Sequence, residues 1–260
     1  MSPPLRFSRR GLIGAGAAGL GGLLLSGCDR LSEAPQALNI VRSAQGLTLR
    51  AQRLILSGQP LAREYKASDL SPVFKANGTL HPSGDAYQAL LDSQFADWAL
   101  TIDGLVAHPL KLTLAQLKAL PARTQITRHD CVEGWSAIGG WTGVPLGGLL
   151  AKASLLPNAR YIVFHCADDL GGTGDERGLY YESIDLFDAF HPQTILAHSL
   201  NGAPLEVAHG APIRLRVERQ LGYKQAKYVM RIEAVDRLDN IGGGKGGFWE
   251  DRGYEWYAGI

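Results

Sequence analysis

The sequence predicts a mixed α+β fold in which short helices separate many short strands. Three observations predict it. Apolar runs of strand length recur at 96–102, 106–112, 123–128, 160–166, 213–218 and 228–235, some alternating and some continuous. The helical patterns between them are brief, at 113–120, 146–154 and 183–190. No internal repeat organises them, so the order is that of an α+β domain and not of a solenoid or a βαβ array.

The first 28 residues read as an export signal and not as part of the fold. Ser8-Arg9-Arg10-Gly11-Leu12-Ile13 is a twin-arginine pattern. The apolar run at 14–25 is too short and too diluted with glycine to span a bilayer stably. Twin-arginine signals are receptor-read addresses, and their route carries folded proteins, often with a cofactor already loaded. Leu25-Ser26-Gly27-Cys28 matches a bacterial lipobox. On that reading the mature chain starts at a lipidated Cys28 and sits at the membrane surface in the periplasm. Plain cleavage and release is the alternative. Residues 29–45 are polar and aperiodic and read as a tether. Residues 46–260 are then the folded domain, which closes on an aromatic tail.

Element by element, 47–56 alternates weakly and reads as an early strand or linker. Residues 71–82 are turn chemistry with Asn77-Gly78 at the tip. The strand at 96–102 turns at Asp103-Gly104 into the run at 106–112. Thr113 caps a short helix with Leu114, Leu117 and Leu120 on one face, and Pro121 stops it. A strand at 123–128 delivers Cys131 into a loop rich in Gly and Trp, and a helix follows at 146–154. The run at 160–166 reads as a strand buried on both faces, ending in a Gly/Asp loop at 168–178. Ser183 is placed as the cap of a helix through Phe190. Asn201-Gly202 joins 194–200 to 204–207 as a hairpin. In the tail, five aromatics within ten residues anchor an otherwise glycine-rich segment.

A net charge of +1 makes no case for nucleic-acid binding. Cys131 is the first candidate for chemistry. Its neighbours Arg128, His129, Asp130 and Glu133 are polar, and the two basic ones are expected to favour the thiolate. One thiolate is too few for a structural zinc site but suffices for a metal whose other ligands come from an organic cofactor. Cys166 ends a strand and lies between a packing role and a pocket contact. A disulfide to Cys131 is the less favoured pairing. His129, His165, His198 and His209 show no metal-ligand spacing. Late in the chain, Arg214 and Arg216 alternate with Ile213, Leu215 and Val217, which puts both on one face. With Arg219, Gly222, Tyr223 and Lys224 they form either a solvated face or a phosphate clamp. The glycines at 242–247 lack the spacing of a P-loop or dinucleotide fingerprint. A cysteine-nucleophile hydrolase and a non-catalytic binding lipoprotein remain open at this point.

Cys131-Val-Glu-Gly-Trp135, Trp141-Thr-Gly-Val-Pro-Leu146, His209-Gly-Ala-Pro-Ile-Arg214 and Gly222-Tyr-Lys224 occur in that order. Together they resemble the molybdopterin-dependent oxidoreductases of the sulfite oxidase fold over about residues 70–240. The resemblance extends to the exported bacterial branch that includes the periplasmic methionine sulfoxide reductase catalytic subunit. It implies molybdenum-molybdopterin as the cofactor, with Cys131 as the protein thiolate on the metal. It places Asn77, Cys166, His209, Arg214, Gly222, Tyr223 and Lys224 as cofactor contacts. Cys166 and His209 depart from the Thr and Asn that the reductase carries there. The sulfite oxidases follow the ligand cysteine with a pair of arginines, whereas this chain has Val132 and Glu133. A carboxylate there opposes an anionic substrate. The resemblance therefore implies oxygen-atom transfer from a neutral S-oxide or N-oxide, with a sulfite-oxidising enzyme as the alternative. No C-x-x-C-H haem motif or iron–sulfur cysteine set is present. Electrons are expected from a separate protein, such as a membrane haem subunit.

Overall fold

The structure, a computed structural model, describes residues 46–55, 60–173 and 178–260. The signal, Cys28 and the tether at 29–45 lie outside them. The chain divides into two compact units, one ending at Pro60 and one spanning Leu61–Ile260. In the first, residues 46–55 form a helix where the sequence suggested a strand or linker. The alternation there is weak, and Leu, Arg, Ala and Gln all favour helix once no partner strand is supplied. Among the described residues no helix is long and apolar enough to cross a membrane.

The second unit carries two five-stranded sheets. The first has the order β2-β1-β10-β5-β6, built from β1 (Ala99–Gly104), β2 (Leu110–Thr113), β5 (Tyr161–Asp169), β6 (Leu179–Asp185) and β10 (Val229–Val235). β1 and β10 run parallel, with Thr101 opposite Arg231, and the other pairs are antiparallel. The second sheet has β3 (Arg123–Asp130), β4 (Ser136–Pro145), β7 (Ile195–Leu200) and β8 (Ala203–Pro204) in order, and β9 (Arg214–Arg216) pairs with β7. Four short helices punctuate them: α1 (Asp85–Asp92), α2 (Leu114–Lys118), α3 (Leu146–Ala153) and α4 (Leu186–Ala189).

Several local signals act as expected. Thr113 accepts the Gln116 N–H at the start of α2, and the Gln116 side chain returns the bond. Asn201 and Gly202 both take positive φ, the turn geometry that matches strand twist. Two elements differ. Ser136–Pro145 is a ten-residue strand, so Cys131 sits in a tight hairpin between two strands and not between a strand and a helix. Glycines at 139, 140 and 143 dilute its pattern, yet the strand uses one of them. A Cβ on Gly143 would stand 2.2 Å from the Leu196 carbonyl oxygen of the neighbouring strand. Ser183 is a buried β6 residue rather than a helix cap. Asp185 caps the short α4 instead, accepting the Asp188 N–H.

The main core packs α3 and α2 against the first sheet through Leu100, Ile102, Leu117, Leu149, Phe164 and Ile232. A smaller cluster lies around Trp141, Ile195 and Ala197, with Phe74 against it. Each such side chain contributes about 1.5–3 kcal/mol through removal from water. The functional cleft opens where the 71–82 loop, the Cys131 hairpin, the segment after β9 and the aromatic tail converge.

Candidate active site

Cys131 stands at the tip of the β3–β4 hairpin. Its N–H donates to Trp135 O and its carbonyl accepts from Gly134 N, at 2.9 and 3.0 Å. Gly134 takes φ +84°, which this turn requires. The sulfur is buried and receives the Asn77 side-chain amide at 3.3 Å. Burial, and secondarily the Glu133 carboxylate, raise the thiol pKa, against the pull of Lys75 and the local backbone N–H groups. The expectation that Arg128 and His129 activate the thiolate is overturned. Arg128 is exposed and pairs with Asp130, and His129 is buried on the other face of β3. His129 Nδ1 accepts from Arg216 at 3.0 Å, and burial followed by Arg216 keeps the ring neutral. A hydrolase needs a base free to take the thiol proton, and His129 is not one.

Arg214 and Arg216 share one face of β9, as their alternation predicts, but that face is not solvated. Both are buried, with the Trp141 ring 5.1 and 4.4 Å from their guanidinium carbons. Arg216 is neutralised by Glu218 at 2.6 Å. Among the described residues Arg214 donates to the carbonyls of His209 and Gln225, at 3.2 and 3.1 Å. Its Nε has no hydrogen-bond partner among the described residues. Burial, with Arg216 adding, lowers its pKa to about 9.

Lys227 is a second cation on the cleft wall. Its ammonium donates to the carbonyls of Asn77 (2.8 Å), Thr79 and Ala208 (3.0 Å). It thereby ties the loop that carries Asn77 to the turn before Gly210. Burial first, then Arg214, lowers its pKa to about 7, while Asp168 opposes the shift. Asp168 lies on the same wall, its pKa raised to about 6 chiefly by burial.

The cleft thus brings together Asn77, Cys131, Arg214, Gly222 and Tyr223 of the predicted set. Cys166, His209 and Lys224 are not on its lining. Cys166 is buried in β5, facing an adjacent cavity. His209 donates from Nε2 to the Phe74 carbonyl at 2.9 Å and braces the 71–82 loop from outside the cleft. Lys224 is fully buried between Glu182 at 2.5 Å and Glu250 at 2.6 Å. Sequence reasoning missed Gln225, Lys227 and Asp168. The available signal was a lysine placed just before a buried strand, where a long cation needs a partner.

A molybdopterin cofactor presents soft sulfur-bound metal at one end and anionic oxygens at the other. The residues present fit that group. A buried guanidinium without a carboxylate partner is costly unless an anion meets it, and Arg214 is such a group, with Lys227 beside it. Cys131 offers the soft ligand. Among the described residues no cluster of three or more His, Cys, Asp or Glu side chains could hold a metal by protein groups alone.

Comparison with known proteins identifies the family. The family described as the oxidoreductase molybdopterin binding domain matches residues 87–240. The chain belongs to this family. It is a molybdopterin-binding oxidoreductase of the sulfite oxidase superfamily. YedZ1 of Azospira oryzae, named a candidate protein-methionine-sulfoxide reductase subunit, is 36% identical over 241 residues, covering 92% of this chain and 84% of that one. The protein-methionine-sulfoxide reductase catalytic subunit MsrP of Xanthomonas campestris is 30% identical over 225 residues, covering 83% and 66%. The sulfane dehydrogenase SoxCD of Paracoccus pantotrophus superposes with a TM-score of 0.48 at 26% identity, covering 55% and 39%. The family match accounts for the mixed α+β fold of this molybdopterin-binding oxidoreductase.

Proposed function

We propose that this oxidoreductase works outside the cytoplasm and reduces a neutral S-oxide or N-oxide by oxygen-atom transfer. The observation that carries the reading is a buried thiol at a cleft whose wall cation, Arg214, donates to carbonyls and has an unpartnered Nε among the described residues. Molybdopterin, when bound, supplies the two-electron centre for oxygen-atom transfer. Cys131 is the protein ligand to molybdenum. Asn77 donates to its sulfur, which lowers the electron density there and fixes its direction. Arg214 and the backbone at Gly222 and Tyr223 hold the anionic end of the cofactor, and Lys227, whose three N–H donors go to carbonyls, adds positive charge beside them. Cys166 and His209 act from behind that contact layer, and Lys224 holds the wall itself.

Glu133 governs which substrates approach. It lines the cleft beside Cys131 and is held by the Trp135 indole N–H at 3.0 Å. The carboxylate is half exposed and pairs with Lys75 at 3.6 Å, so its repulsion of an incoming anion is screened to about 1 kcal/mol or less. What remains weakly disfavours sulfite and leaves neutral oxides unpenalised.

The twin-arginine pattern and lipobox support export and a lipid anchor at Cys28. The relatives' names, which call them subunits, support a separate electron-transfer partner, and a membrane haem protein fits an anchored enzyme. The test is expression in a cofactor-competent host with metal and pterin analysis. Dimethyl sulfoxide reduction is then followed with reduced viologen, and sulfite oxidation with ferricyanide. One molybdenum per chain with oxide reduction supports the reading. Sulfite oxidation alone transfers it to the sulfite-oxidising alternative, and absence of molybdenum sinks it.

A further inference from the structure

The helix at 46–55 turns its apolar stripe outward. Leu47, Ala51, Leu54 and Ile55 recur at i, i+4, i+7 and i+8, which gathers them within about 100° around the helix axis. Leu47, Leu54 and Ile55 are 64%, 77% and 78% exposed, and Ala51 is exposed with them. The half-buried residues Leu49, Gln52 and Arg53 lie on the opposite side. A helix that serves only a core faces the other way. A contiguous apolar stripe left in water marks a contact surface.

The charge around the stripe indicates what covers it. No Asp or Glu occurs between Glu33 and Glu64, while Arg42, Arg50, Arg53 and Arg63 fall in that interval. The whole chain carries only +1, so the excess of positive charge is local. Arg50 is exposed and stands one turn from both Leu47 and Leu54, at the edge of the stripe. Apolar side chains beside arginines match the layers of an anionic bilayer surface, with acyl chains beneath and phosphates at the rim. A protein groove would account for the stripe but not for the acid-free interval around it.

We propose that the helix at 46–55 lies on an anionic phospholipid surface, with Leu47, Leu54 and Ile55 in the acyl boundary and Arg50 at the phosphates. This contact is separate from a lipid at Cys28 and does not depend on it. The 17 residues 29–45 extend at most about 60 Å. A lipid at Cys28 would therefore keep the helix within reach of the same bilayer and raise its effective concentration there. Two such signals hold a protein at a membrane more firmly than either one.

The test uses the full, molybdenum-loaded chain carrying Cys28→Ser, which removes the lipid. An environment-sensitive fluorophore is attached at Leu54→Cys, or at Gln52→Cys on the opposite side. Cys131 and Cys166 are buried, so the added cysteine takes the label. Vesicles contain phosphatidylglycerol with phosphatidylethanolamine, or phosphatidylcholine alone. The Leu54 label is expected to brighten about threefold on the anionic vesicles and less than about 1.5-fold on the neutral ones. The Gln52 label is expected to change less than about 1.5-fold on either. A label at Leu47→Cys reads the same stripe independently and is expected to follow Leu54. Arg50→Gln is expected to lower the ratio of inserted to free helix about fivefold. Equal responses at Leu54 and Gln52, or an Arg50→Gln variant that matches its parent, overturn the proposal. So does shielding of Leu54 in native membranes without shielding on protein-free vesicles, which assigns the stripe to a membrane protein. A Leu54 response that grows with protein concentration in the absence of lipid also overturns it, in favour of a second copy of the chain.

Discussion

The Asn77 side-chain amide donates to the Cys131 sulfur across 3.3 Å, joining a loop and a hairpin from different parts of the chain. Lys227 fixes the other end of that contact by holding the Asn77 carbonyl at 2.8 Å. The thiol therefore has a defined partner before any metal is present.

Cys131→Ser should keep the fold and lose the chemistry. The substitution is close to isosteric, so the cost to stability is about 1 kcal/mol or less. Thermal unfolding of the variant should stay within a few degrees of wild type while oxide reduction disappears. Full activity in the serine variant would refute the assignment of the ligand.

Lys224 and Lys227 are three residues apart and should fail in different ways. Lys224→Met strands two buried carboxyl groups and is expected to cost about 3–5 kcal/mol in denaturant unfolding. Lys227→Met releases the Asn77–Thr79 backbone at about 2 kcal/mol and lowers cofactor retention, measured as molybdenum per folded chain. Equal molybdenum loss at equal stability in both variants would contradict this division.

Gly222→Ala tests how closely the cleft wall is packed. A Cβ at this position would lie 2.6 Å from His129 Cε1 and Nε2, and His129 is pinned by Arg216. The clash is expected to cost about 1–3 kcal/mol and to displace the wall opposite Cys131. Urea unfolding together with pterin content reads both effects.

Asp168 gives the cofactor-free protein a pH signature. Its pKa is raised to about 6, above the unfolded value near 3.9, so the native state binds more protons between these limits. Its contribution to stability is fully present below pH ~4 and is lost as pH rises through ~6. Asp168→Asn should remove that slope and stabilise the apo protein above pH 6 by about 2–3 kcal/mol relative to wild type. Parallel stability curves for the two proteins between pH 4 and 7 would show that this carboxyl does not titrate as described.

Much of the fold is written locally. The Thr113 cap, the Asn201-Gly202 turn and the shared face of Arg214 and Arg216 follow from side-chain chemistry within a few residues, and each is found where the sequence puts it. What escapes is tertiary. The strand at Ser136–Pro145 contains glycines that local propensity counts against it, and their use is visible only when β7 lies alongside. Ser183 looks like a helix cap until its hydroxyl is seen donating to the Gly246 carbonyl. The resemblance placed Lys224 on the cofactor. The 3-10 turn at Gly222–Lys224 buries that lysine among carboxylates, leaving Lys227 on the cleft. The direction a lysine takes after such a turn depends on which carboxylates pack beneath it, and those come from distant segments.

The parallel pairing of β1 with β10 sets the order in which the molecule can assemble. β10 lies between β1 and β5, so the first sheet has a gap at its centre until Val229–Val235 leaves the ribosome. Such non-local closure raises contact order and slows folding. The nascent chain exposes the flanks of β1 and β5 throughout that wait, an interval in which chaperones would have to guard two unpaired strand edges.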